Sequence, residues 1–149
     1  MIKRTHLAIA FGLMLYFLPV MNRKLIFVPV VLIAALLPDI DSPSSAYGHK
    51  WYWRPVQWAS RHRGVLHSLT FCFAVSLGLA FFIPVLAFPF FLGYSSHLFG
   101  DALTQEGIMP FWPLKKEARW ILRTGGKREM VVFLIILGID ALLFLRLFA

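Results

Sequence analysis

Five apolar segments, at residues 7–20, 25–37, 65–82, 85–103 and 130–148, restrict what this chain can fold into more than any other feature. A helical run of about 20 apolar residues matches the hydrocarbon thickness of a bilayer, so lipid is the natural solvent for segments of this kind. The hydrophobic share of 59% and mean hydropathy of +0.72 exceed what a soluble core absorbs; soluble domains hold roughly 45–50% apolar residues. The expected fold class is an all-α membrane protein with about five transmembrane helices, at roughly 5–20, 25–38, 65–82, 85–103 and 130–148, in one integral membrane domain spanning 1–149. The first two segments are short, but Thr5, His6 and Pro38 extend them and local bilayer thinning tolerates modest mismatch. No small-x-small cleavage pattern closes the first segment before Asn22, Arg23 and Lys24, so it reads as a retained helix rather than a signal peptide.

The turns at 21–24 and at Ile83-Pro84 are short, as between antiparallel helices. The long polar stretches, 39–64 and 106–129, then fall on the side of the N-terminus. Twelve Lys and Arg residues lie on that side, against Arg23, Lys24 and Arg146 opposite. Positive loops stay inside, which predicts a cytoplasmic N-terminus and cytoplasmic long loops. The same topology accounts for the net charge of +8 and pI near 10.2 without nucleic acid as a partner. All five tryptophans, Trp51, Trp53, Trp58, Trp112 and Trp120, belong to these loops, where amphipathic rings favour the headgroup level. Cys72 is the single cysteine, so neither an intrachain disulfide nor a cysteine-based zinc cage is available.

The ionisable residues acquire meaning on this topology. His6 opens the first helix, Asp39 and Asp41 follow the second, His62 and His67 open the third, and His97 and Asp101 close the fourth. Odd-numbered helices start at one face and even-numbered ones end there, so all seven converge in one layer. Acids and imidazoles at membrane depth are costly and are kept for pairing, ligation or transport. His97 and Asp101, spaced i, i+4, share one helix face. Asp39 and Asp41 place two short carboxylates on a turn after Pro38, and His62 and His67 straddle Gly64. The set supplies enough nitrogen and carboxylate ligands for two metal ions. Taken singly, each has a plainer role: a helix-end histidine at an interface, a hydrogen-bonded His–Asp pair, an aspartate in a turn. Convergence is what favours ligation. Arg61 and Arg63 flank His62, where they either clamp a phosphate or simply follow the charge rule. Asp140 lies deep in the last helix, away from the cluster.

Thr5-His6, the stretch Leu37-Pro38-Asp39-Ile40-Asp41-Ser42, the stretch His62-Arg63-Gly64-Val65-Leu66-His67-Ser68, and the run from Gly93 through His97 and Asp101 to Thr104 together resemble the YdjM-type family of membrane-bound metal-dependent hydrolases. Gly107-Ile108 and Trp112-Pro113 resemble that family's segment after the last motif. The resemblance implies a multi-pass protein of a prokaryotic plasma membrane holding a divalent metal, zinc first and manganese second, on the motif His and Asp residues. A more distant similarity, to zinc-dependent phospholipases C and nucleases, implies cleavage of phosphate esters.

The resulting expectation is that His6, Asp39, Asp41, His62, His67, His97 and Asp101 bind one or two divalent ions at the cytoplasmic membrane boundary. Asp41 or Asp101 orients the attacking water, and Arg61, Arg63 and Ser68 contact a phosphate. The expected substrate is a phospholipid or polyprenyl phosphate, with membrane lipid as the surrounding partner. Three alternatives stay open: an intramembrane zinc amidase acting on lipid amides, a metal or proton transporter, and a structural or regulatory membrane protein whose basic loops dock a soluble partner or anionic lipid. Conduction would require polar residues through the far halves of the first four helices, where almost none occur.

Overall fold

The computed structural model describes residues 1–41, 51–54 and 64–149. Among them are five α-helices: α1 (Lys3–Phe17), α2 (Lys24–Ala34), α3 (Leu69–Phe82), α4 (Pro84–Ala102) and α5 (Lys127–Arg146). Short 3-10 turns cover Leu18–Val20, Pro38–Asp41, Trp51–Trp53 and Val65–His67. The only strand-like pairings among the described residues are two isolated bridges, Thr104 with Leu122 and Ile108 with Ala118. The described residues are therefore all-α, as the apolar segments imply.

No helix among the described residues is long and apolar enough to cross a membrane. For α2 the shortfall is length: its 11 residues extend roughly 16 Å at 1.5 Å per residue, against about 30 Å of hydrocarbon. The 19 residues of α4 have the length, but Ser95, Ser96, His97 and Asp101 make its second half polar. The 20 residues of α5 begin with Lys127, Arg128 and Glu129 and carry Asp140 within. The expected transmembrane spans are thus not carried by helix length and apolarity alone.

Helix α4 is the hub, packing against α1, α2 and α3, while α5 packs on α1. Its start is explained by Pro84 at the first helical position, where a missing N–H costs nothing. Two glycines one heptad apart let neighbours close on it. A Cβ at Gly93 would collide with the Val31 carbonyl oxygen of α2, and one at Gly100 would lie 2.9 Å from His6 Nδ1 of α1. The α1–α2–α4 core is Ala10, Met14, Leu15, Phe27, Val31, Ala35 and Leu92. A second cluster packs Cys72 of α3 against Phe90, Tyr94 and Leu98 of α4, with Ala34 and Ile108. With apolar residues occupying these seams, the polar residues are left to one end of the bundle.

Candidate metal centre

Six of the seven sequence-predicted ligands meet at that end. His6 comes from the first turns of α1, Asp39 and Asp41 from the turn after α2, His67 from the turn before α3, and His97 and Asp101 from the last turns of α4. His62 lies outside the described residues, as do Arg61 and Arg63. His6, His67 and His97 are fully buried, and Asp41 and Asp101 are 2% exposed. Asp39 is the accessible member, its side chain 24% exposed.

Asp101 sits between the three imidazoles. Its Oδ1 lies 3.2 Å from His6 Nε2, and its Oδ2 lies 3.6 Å from His67 Nε2 and 3.7 Å from His97 Nε2. Oδ1 also lies 2.5 Å from the Met1 amino nitrogen. Across the cluster, Asp39 Oδ1 is 3.6 Å from His97 Nε2. The His6 and His97 rings stack with centroids 3.8 Å apart and planes 7° from parallel, and His67 meets His97 edge-on at 5.5 Å.

Asp101 Oδ1 accepts a hydrogen bond from the Met1 ammonium, whereas the longer separations on the Oδ2 side and at Asp39 fit ligation better than hydrogen bonding. Two ligand atoms about 2.0–2.1 Å from one zinc ion at tetrahedral angles lie roughly 3.3 Å apart. Contacts of 3.6–3.7 Å are too long for hydrogen bonds, and the fully buried Nε2 of His97 makes none in the structure. A buried polar atom without a hydrogen bond costs on the order of 1–3 kcal/mol, which a bound cation would offset. Ligand atoms of His6, His97 and Asp101 lie within 4.8 Å of one another, as do those of Asp39, His67 and His97, so either set could hold an ion.

The outer nitrogens are oriented as ligands require. His97 Nδ1 lies 2.7 Å from the Ala35 carbonyl oxygen, which can only accept, so this nitrogen carries a proton and, in the neutral ring, Nε2 is the nitrogen left with a lone pair toward the cluster. His67 Nδ1 lies 3.1 Å from Asp41 Oδ2, which gives His67 the same tautomer through a carboxylate–histidine pair. Asp41 therefore stands behind His67, on the side away from Asp101. Ser68 accepts from the Phe71 N–H at 3.1 Å and donates to Val65 O at 2.6 Å, so its hydroxyl caps the start of α3.

Sequence reasoning passed over two supports. Glu129, 2% exposed at the start of α5, accepts from Ile2 N at 2.7 Å, Thr5 Oγ1 at 2.9 Å and Gly125 N at 2.6 Å. It clasps the turn of α1 that carries His6, and an acid in the first turn of a helix after Gly125-Gly126 was the available signal. Tyr94, 2% exposed, donates to Leu66 O at 2.6 Å and steadies the turn that presents His67. Asp140 lies apart, 4% exposed against Gly12 of α1. An apolar cleft of about 640 Å³ involves Ile9, Leu69, Ser95, Phe99 and Phe111. At 100° per residue, Ser95 and Phe99 point away from His97 and Asp101, so the cleft flanks α4 on its other side.

Fold and site together define a small helical-bundle protein with a buried His/Asp centre of metal-ligating composition. The family model described as "YdjM inner membrane protein" matches residues 1–148, and the chain belongs to that family. It is 39% identical over 105 residues to the inner membrane protein YdjM of Escherichia coli K12 and, equally, to that of Shigella flexneri. The alignment takes in 64% of this chain and 52% of each relative, so the chain spans about half the length of the curated relatives it matches. No solved structure matches.

Proposed function

We propose that this chain is a multi-pass inner membrane protein with one or two divalent ions, zinc or manganese, in its His/Asp centre, and that it hydrolyses a phosphate ester of a membrane lipid or polyprenyl carrier. The observation that carries the reading is Asp101 placed among three buried histidines at 3.2, 3.6 and 3.7 Å, with two of their outer nitrogens tied to an oxygen. Inner membrane residence is supported by the family description and by exposed apolar side chains along α3 and α5, such as Leu77, Phe81, Leu134 and Leu142. Surfaces of that kind suit lipid contact. The N-terminus and the centre are assigned to the cytoplasmic side on the charge asymmetry of the loops.

A divalent ion held by these residues would lower the pKa of its bound water to near neutrality and polarise the scissile group. The protein's part is to hold and orient. His6, His67, His97 and Asp101 converge from three chain segments to form a buried centre. Asp41 holds His67 in its ligating tautomer and acts through it. Asp39, the accessible carboxylate, is where water would enter, and Asp101, the central carboxylate, would orient it. His62, Arg61 and Arg63 are assigned to the same centre by their motif, the two arginines to the substrate phosphate.

The test starts with metal content of detergent-purified wild type, His97→Ala and Asp101→Asn, with helix content as the folding control. Near-stoichiometric zinc or manganese in wild type, lost in both variants while the helices persist, supports the reading. Released phosphate against released fatty acid from a lipid extract then separates a phosphoesterase from a lipid amidase. Wild type that stays metal-free after incubation with divalent ions ends the hydrolase proposal.

A further inference from the structure

The loop between α4 and α5 does more than connect them. Residues 111–117 and 119–121 are exposed without a break except at Ala118, and they interleave large apolar side chains with cations. Trp120 is 64% exposed, Leu114 61%, Ile121 57%, Phe111 55% and Trp112 40%. Between and beside them stand Lys115, Lys116, Arg119 and Arg123, against the single carboxylate of Glu117. Glu117 lies 3.6 Å from Arg119; among the described residues the other three cations have no ion pair.

This loop is held in shape rather than left loose. Ile108 and Ala118 exchange backbone hydrogen bonds at 3.0 and 2.8 Å, Gln105 N donates to Leu122 O at 2.9 Å, and Trp120 N donates to Thr104 O at 3.0 Å. Leu69 N donates to Pro110 O at 2.8 Å, which joins the loop to the start of α3. Gly107 takes φ of 63°, and a Cβ there would lie 2.6 Å from Ala118 O, so the close crossing depends on glycine. An ordered loop that spends backbone hydrogen bonds on displaying aromatic rings and cations to the outside has a surface to meet.

We propose that residues 109–123 form a docking surface for an anionic phospholipid leaflet, with Phe111, Trp112, Leu114 and Trp120 seated at headgroup level and Lys115, Lys116 and Arg119 against lipid phosphates. Two arguments select this occupant. The interleaving of amphipathic rings with basic side chains matches the two components of an anionic interface, the apolar boundary and the negative surface potential. The loop is also joined to the start of α3 through the Leu69–Pro110 hydrogen bond, and α3 and α5 expose apolar side chains of their own, which a soluble acidic partner would leave uncovered. The surface lies on the bundle end that holds the His/Asp centre, since Thr104 follows Asp101 by one turn. The proposal rests on membrane residence and not on the hydrolytic chemistry.

The experiment uses the full chain in nanodiscs of phosphatidylcholine with and without phosphatidylglycerol. Trp51, Trp53 and Trp58 are replaced by Phe so that Trp112 and Trp120 alone report, and hydrogen exchange of the 109–123 amides in the unsubstituted chain gives a second readout that needs no variant. The expected result is quenching by brominated lipid, protection from iodide and slower exchange, each stronger with phosphatidylglycerol and lost in Lys115→Glu/Lys116→Glu/Arg119→Glu at unchanged helix content. Iodide-accessible tryptophans and identical exchange in both discs overturn the proposal and leave the basic face to an acidic soluble partner. Lipid quenching that ignores both phosphatidylglycerol and charge reversal overturns it as well, because anionic recognition is then absent. Metal content is unaffected in every arm, so failure here is separable from failure of the metal centre.

Discussion

Asp41 and Glu129 act at one remove from the centre, and their substitutions test it more finely than removal of a ligand. Asp41→Asn keeps the shape of the side chain but removes the charge that holds His67 Nδ1–H. Loss of such a partner lowers metal affinity about 10–100-fold, which competition with a chromophoric zinc chelator measures. Unchanged affinity would mean that His67 is not a ligand. Glu129→Gln keeps one carbonyl oxygen for two of its three donors and turns the third contact donor-to-donor. The expected loss is about 1–3 kcal/mol of stability, read by denaturant unfolding in detergent, with weaker metal binding because the turn bearing His6 loosens. At this scale the sequence made the convergence of the His and Asp side chains legible and not the contacts that support them. His6, His67, His97 and Asp101 announced themselves as ionisable residues at helix ends, whereas the Ala35 carbonyl, the Asp41–His67 pairing and the Glu129 clasp exist only once distant segments touch.

Among the elements, α4 carries the strictest demands, since its two glycines set how closely α1 and α2 approach. Gly100→Ala places a methyl 2.9 Å from His6 Nδ1 and 3.1 Å from Met1 Sδ, and overpacking of this kind costs typically 1–3 kcal/mol. The ring of His6 is what must move, so metal affinity should fall more than helix content. Gly78 in α3 has nothing within 4 Å of a Cβ, and Gly78→Ala is the matched control, expected to leave affinity unchanged and to raise helix stability by about 0.5–1 kcal/mol. Equal effects from the two substitutions would remove the argument that close packing at Gly100 seats His6. Element types could be read from hydropathy, and their ends could not. The segment expected at 25–38 is helical only over Lys24–Ala34, because the chain turns at Pro38 to bring two aspartates back toward α4. The segment expected from 130 begins at Lys127: apolarity marks where a helix is buried, while the backbone continues through a charged first turn. The segment expected from 65 splits into a 3-10 turn and α3 at Ser68, a serine whose hydroxyl caps the helix.

On the scale of the whole molecule, the alternation of helix direction is what makes the centre possible, and it was readable because it follows from segment order alone. Four separate stretches of chain, α1, the turn at Pro38–Asp41, the turn at Val65–His67 and the end of α4, each deliver a side chain to one place. An ion bound there joins elements that are otherwise tied by apolar seams, so its binding free energy adds directly to the stability of the assembled bundle and is absent from the unfolded chain. At free metal 100 times the dissociation constant the stabilisation is about 2.7 kcal/mol, rising logarithmically with concentration. Thermal unfolding of the detergent-solubilised chain should therefore shift upward with added zinc or manganese and downward with a chelator, with the His97→Ala variant insensitive to both. The same shift in wild type and His97→Ala would place the ion outside the centre. No shift in wild type would mean that the three histidines and Asp101 are held together without an ion, and the cluster would then have to be stabilised by a proton shared between Asp101 and its neighbours.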